Sequence, residues 1–259
     1  MFSKPLLQNI AKHTKLIADS RGIYKRFLHE ANHWQNHLTN CKNYISKYLL
    51  EKSARNIVIL GSGWLLDIPV EDMLKKAEKI QLIDIVHPPE ILHKYKKEPK
   101  CHFIQTDITG GLLKHLYTLS KSKNFSLTNM LNYGESDEPF NIAADVDMVI
   151  SLNLLSQLNG LIIEYLKNKY TLTENDLLTL SKHIQENHLA ILPKNKSIII
   201  TDTEEIISDM HNHFIKKNPL IFTVLPNLKD KREWIWEFDT QGTYYPHKKT
   251  HMKVIAGSL

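Results

Sequence analysis

The stretch ARNIVILGSGWLLDIPVEDML, residues 54–74, decides how the chain is read. Ile57 to Leu60 form a short apolar run that enters Gly61-Ser62-Gly63, and a helix-like pattern follows. A strand, a glycine turn and a helix start present unpaired amides and let a ligand come close to the backbone. A dinucleotide loop of the form G-x-G-x-x-G would place a pyrophosphate there. Its last glycine is missing, because Leu66 holds that position.

Further short apolar runs, rich in Ile, Val and Leu, lie at 80–83, 102–105, 147–152 and 197–201. The segments between them are long enough for helices. Strands apolar on both faces and separated by helices argue for a parallel sheet covered on both sides. Upstream, residues 5–52 read as helices. Leu6, Leu7, Ile10 and Ile17 fall near helical spacing, as do Ile23, Phe27, Ala31, Trp34, Leu38 and then Tyr44, Ile45, Tyr48, Leu49. Ser20-Arg21-Gly22 is a candidate break. Thr173 and Asp176 form a variant capping box ahead of the stripe Leu177, Leu178, Leu180, Ile184, Leu189 and Ile191, which Pro193 stops. Residues 121–141 are polar and read as a long loop. Two strand candidates close the chain, Glu233 to Phe238 and His251 to Ala256, with a turn signal at 239–242.

The chain has 259 residues, 42% hydrophobic and 24% charged, as in a globular protein of one large domain with an extension. No run approaches ~20 apolar residues, so no membrane span is expected. The first residues lack the apolar core and cleavage site of a secretory signal. Cys41 and Cys101 cannot make a disulfide framework and fit a reducing compartment, so a cytoplasmic location is expected. The formal charge of +5 is spread along the chain. Lys94 to Lys100 reads as a solvated helix end, and no arginine stripe with aromatics favours nucleic acid.

Polar residues gather where the strands end. Asp84 closes the second strand, placed to accept from ribose hydroxyls. Asp107 and Ile108 follow the third, where a carboxylate can accept from an adenine amine. Asn153 follows the fourth. In this order of features, residues 55–259 resemble the class I S-adenosylmethionine-dependent methyltransferases. The turn Leu192 to Lys196 and the closing strand pair are similar to that family's as well. The resemblance implies an α/β fold with a doubly wound, mostly parallel, seven-stranded Rossmann-like sheet over 53–259. Residues 1–52 become a helical extension or lid. It also implies S-adenosylmethionine as cofactor, S-adenosylhomocysteine as product, and cofactor contacts from Gly61, Ser62, Gly63, Asp84, Asp107, Ile108 and Asn153. On this reading Asp84→Ala removes cofactor binding and leaves the melting temperature of the ligand-free chain nearly unchanged.

Three positions depart from the family. Ile59 stands where an acidic residue is usual, Leu65 where a third glycine is usual, and Trp64 is bulky for the loop. Asp67 is a candidate replacement for the missing carboxylate. The fourth strand lacks an Asn-Pro-Pro-Tyr sequence, so methylation of amino groups on nucleic-acid bases is not supported. Because a sulfonium is already a strong leaving group, the protein mainly has to align the acceptor and exclude water. No general base is marked, although histidines near the mouth are candidates. The acceptor is a small molecule or a protein side chain. Two other readings stand beside this one: a catalytically silent binding or scaffold subunit, and an NAD-dependent oxidoreductase.

One motif competes. His29-Glu30-Ala31-Asn32-His33 matches H-E-x-x-H, in which two histidines one turn apart bind zinc and the glutamate activates water. Only 28 residues precede it, and the glycine of the longer metalloprotease form is missing. A helix with surface histidines is the plainer expectation, with His29, His33, Trp34 and His37 as candidate lid residues, and no metal is expected.

Overall fold

The computed structural model describes residues 16–119, 126–131 and 140–259. The positions Leu6, Leu7 and Ile10, and most of the expected loop at 121–141, lie outside them. Helix α1 (Leu16–Lys52) is followed by β1 (Asn56–Leu60), α2 (Val70–Lys76), β2 (Lys79–Asp84), α3 (Pro89–Lys94) and β3 (Cys101–Gln105). Then come α4 (Leu112–Leu119), α5 (Leu127–Leu131), β4 (Met148–Leu152), α6 (Gly160–Lys169) and α7 (Glu174–Ala190). The chain ends with β5 (Ser197–Asp209), β6 (Phe214–Pro219), β7 (Lys229–Asp239) and β8 (Lys248–Ser258).

The sheet runs β3-β2-β1-β4-β5-β8-β7, with β6 pairing β5 off this path. β1 to β5 are mutually parallel, and β8 enters antiparallel between β5 and β7. The fold is therefore the α/β, doubly wound, mostly parallel sheet expected, with an eighth strand added. β5 is the reason. It reaches 13 residues rather than five, outruns β4 at Leu152, and offers its free edge to β6. β6 is largely exposed and reads Phe-Ile-Lys-Lys-Asn-Pro, with neither alternation nor a continuous apolar run to mark it.

Alternate residues of each strand feed opposite layers. Ile57, Ile59, Ile80, Leu82, Met148, Ile150, Ile198 and Ile200 face one layer, with α1 and α2. Val58, Leu60, Ile83, Val149 and Ile199 face the other. Ile59 is fully buried, a position where a carboxylate would be unsolvated and unpaired.

α1 is one long element that runs through Ser20-Arg21-Gly22 and kinks instead at Glu30 (φ −106°, ψ 16°). Its stripe Trp34, Leu38, Cys41, Ile45 and Leu49 packs into the layer that also holds Trp236 and Phe238 of β7. The capping box is present: the Thr173 hydroxyl accepts from the Asp176 amide, and the Asp176 carboxylate accepts from the Thr173 amide.

Candidate functional site

Sheet order reverses between β1 and β4, and in open α/β sheets the crevice at such a point is where ligands bind. A cavity of about 260 Å³ opens there. Gly61, Ser62 and Gly63 from the β1 turn, Asp84 from β2, Asp107 and Ile108 after β3, and Asn153 after β4 all line it. The structure thus brings together every residue the sequence proposed for the cofactor.

The glycine turn is built differently from the sequence expectation of free amides. The Gly61 and Ser62 amides donate to the Ile83 carbonyl (2.9 and 3.2 Å), and the Gly63 amide donates to Asp84 Oδ2 at 2.8 Å. Both glycines have positive φ (+70° and +46°), and a Cβ on Gly61 would meet Leu154 at 3.0 Å. Leu65 also sits in the left-handed region (φ 56°), which is the conformational reason a third glycine suits this position. Its side chain is buried, and that burial offsets a strain of roughly 1 kcal/mol. α2 starts only at Val70, seven residues beyond Gly63, and is itself a seven-residue helix.

The carboxylates are held in place by backbone. Asp84 accepts from the amides of Gly63 and Val86, and burial raises its pKa despite these bonds and nearby His87. Asp107 accepts from the Thr109 amide and hydroxyl and from the Leu113 amide, so it ties the turn after β3 to the start of α4. A carboxylate has about four acceptor sites. Asp84 therefore keeps capacity for a ligand, and Asp107 keeps less.

The strand order, with an antiparallel strand inserted between β5 and β7, is the mostly parallel Rossmann-like arrangement that the resemblance to class I methyltransferases implies. No protein-family model matches the chain, and no curated protein does. Solved structures do. The 1,6-didemethyltoxoflavin-N1-methyltransferase of Burkholderia thailandensis is 9% identical with a TM-score of 0.42, over 100% of this chain and 92% of that one. The N-methyltransferase NodS of Bradyrhizobium japonicum WM9 is 8% identical with a TM-score of 0.34, over 85% and 98%. A putative S-adenosylmethionine-dependent methyltransferase of Listeria monocytogenes is 13% identical with a TM-score of 0.34, over 85% and 99%. Similarities this distant say nothing about activity or acceptor.

α1 closes one side of the cavity. Leu16, Asp19, Ser20 and Ile23 line it from the first turns. Trp64 does not plug the crevice. Its ring stacks on Tyr24 (centroids 4.1 Å apart, 14° between planes), and its indole N–H donates to the Ser20 carbonyl at 2.8 Å. The residue that looked out of place in the loop is what fastens the helix over it.

The H-E-x-x-H segment resolves into structural parts. Glu30 is buried and accepts from the Thr240 amide (3.0 Å), the Thr240 hydroxyl (2.8 Å) and the Gln241 amide (3.1 Å). It clamps the β7–β8 turn to the kink of α1. His29 is exposed, and His33 pairs with exposed Glu237 at 3.0 Å. The three side chains do not converge on a metal.

A different polar cluster, outside that motif, lies deeper. His37 and Cys41, one turn apart on α1, meet Asp67 from the loop, and the ligand-type atoms of the three lie within 4.8 Å of one another. Asn153, held at φ 49°, donates to Asp67 at 3.0 Å and sits 3.4 Å from His37 Nε2. Trp234 donates its indole N–H to His37 Nδ1 (3.1 Å), and Trp236 stacks on the ring at 4.0 Å. The donor fixes the tautomer: Nδ1 is the acceptor, so the ring proton is on Nε2. Burial lowers the His37 pKa to about 3, so the ring is neutral. A neutral ring whose lone pair is taken by Trp234 is neither a general base nor a ready metal ligand. Asp67 is lifted by burial to about 6. Asp202, at the end of the parallel part of β5, is lifted by burial to about 7. Only spacing along α1 and a lone Asp after the glycine turn hint at this cluster in the sequence.

Proposed function

We propose that the chain is an S-adenosylmethionine-dependent methyltransferase acting on a small molecule or a protein side chain in the cytoplasm, with residues 1–52 serving as a lid on the cofactor domain at 53–259. One observation carries the choice of cofactor. Asp19, Asp67, Asp84 and Asp107 line the cavity, and no lysine or arginine does among the described residues. A cavity of this charge favours a ligand bearing a sulfonium and an ammonium, and opposes a pyrophosphate. The occupied amides of Gly61, Ser62 and Gly63, and the remote start of α2, remove the usual anion site of a dinucleotide loop as well.

In this reading Asp84 takes the ribose hydroxyls with its remaining acceptor sites. Gly61 to Gly63 make room for the methionine portion. Ile108 packs on the adenine, with Asp107 at its amine edge. When bound, the cofactor supplies an electrophilic methyl group on sulfur. The chain's part is to align the acceptor and to keep water out, with Leu16, Ile23, Trp34 and Leu38 of α1 covering the cavity. Calorimetric titration tests the proposal. S-adenosylhomocysteine is expected to bind at one site with a micromolar constant, and NAD to release no heat. Heat from NAD alone would favour the oxidoreductase, and silence from both the scaffold.

A further inference from the structure

Among the described residues, one end of the cavity carries carboxylates and no lysine or arginine. Asp67 lines the cavity, and behind it Asp202 is buried. Lys42 acts on Asp67 only through space, and no basic side chain pairs with either aspartate among the described residues. Three polar atoms here lack a partner although fully buried: the acceptors Asp202 Oδ1 and Asn153 Oδ1 and the donor Trp236 Nε1, the last two on side chains that line the cavity. Trp34 and Trp236 line the same end, beside His37. A half-buried and a buried acid without a basic partner, beside aromatic rings, form a seat for a positively charged group.

We propose that this end seats the methyl acceptor and that the acceptor is an amine, with Asp67, backed by Asp202, receiving its proton. The inference rests on the cavity being an S-adenosylmethionine site. The ammonium gives one proton to the Asp67 carboxylate, and the freed nitrogen lone pair bonds to the sulfonium methyl carbon. The C–S electron pair stays on sulfur as a thioether, and the product is an N-methylammonium. A carboxylate is basic enough to take a proton from an ammonium but far too weak a base for an alcohol, and the stronger base His37 is unavailable because Trp234 holds its lone pair, so a hydroxyl acceptor fits this end poorly. A metal ion is the competing cation. It would have to displace the proton of His37 Nε2 and break the Trp234 hydrogen bond, and an organic ammonium does neither.

Sinefungin tests this without a known acceptor. It shares the adenosine and amino-acid portions of S-adenosylhomocysteine and carries an extra amine near the position of the transferred methyl. Calorimetry with both ligands is expected to show sinefungin binding at least tenfold tighter to the wild type. In Asp67→Asn that preference is expected to fall to near unity, with S-adenosylhomocysteine affinity changed less than threefold. If Asp67→Asn weakens both ligands equally, Asp67 holds the shared methionine ammonium and the inference is overturned. If the variant fails to fold, the wild type alone decides. The titratable groups facing Asp67 are His37 and Cys41 from α1, with Lys42 farther off, and Asp202 from β5. Burial lifts Asp67 to about 6 and Asp202 to about 7, so the sinefungin preference should grow as pH rises through that range and the carboxylates ionise; a flat preference overturns the inference. Stoichiometric zinc in chelator-free protein would overturn it too. Failure of both ligands to bind the wild type would remove the cofactor reading itself, and this inference with it.

Discussion

Asp84→Ala is expected to weaken S-adenosylhomocysteine binding by about 100-fold. Two hydrogen bonds from ribose hydroxyls to a carboxylate are worth about 1.5 kcal/mol each in a shielded site, and 3 kcal/mol is roughly two powers of ten in affinity. Unlike the sequence expectation, the ligand-free protein should also lose stability, by about 1–2 kcal/mol. The Asp84 carboxylate holds the Gly63 and Val86 amides, and alanine leaves both without that partner. Asp84→Asn separates the effects: it retains one acceptor for the loop and gives ribose a weaker neutral partner. Calorimetry and thermal melting of the three proteins give both numbers. Unchanged affinity in Asp84→Ala would remove the ribose role.

Glu30→Ala should be the most destabilising change in the H-E-x-x-H segment, by about 3 kcal/mol, or a melting temperature roughly 6–12 °C lower. The carboxylate is buried and takes three hydrogen bonds from Thr240 and Gln241. Losing it frees the β7–β8 turn from α1 at the point where the helix departs from regular geometry. His29→Ala and His33→Ala should each cost under about 1 kcal/mol, since one histidine is exposed and the other makes only an exposed contact with Glu237. A catalytic zinc site would give the reverse order: the histidine variants would lose metal, and the glutamate variant would fold normally. Thermal melting and elemental analysis of the three variants check this.

These two residues show what the sequence made legible and what it did not. Asp84 was legible because a short apolar strand ends there, about 20 residues after a glycine turn, and alternating strands and helices imply a parallel sheet whose strand ends share one edge. The same logic placed Asp107, Ile108 and Asn153 on one cavity. It could not say that the turn's amides would be taken by Ile83 and Asp84, because that depends on pairing between β1 and β2. Glu30 misled because a local motif carries no record of its distant partner, a turn some 210 residues later. His37, Cys41, Asp67 and Asp202 come from three separate segments and meet only through α1 lying across the sheet. The extension of β5 and the addition of β6 were hidden by the polar composition of residues 202–219.

The central claim is that the crevice between β1 and β4 holds an adenosyl group. A crystal structure of the protein with S-adenosylhomocysteine tests it most directly. The expected result is ribose hydroxyls against Asp84, adenine beside Ile108 and Asp107, and sulfur toward Asn153, with Trp64 still stacked on Tyr24. Ligand bound elsewhere, or a crevice closed by Leu16 and Ile23 at saturating ligand, would contradict it.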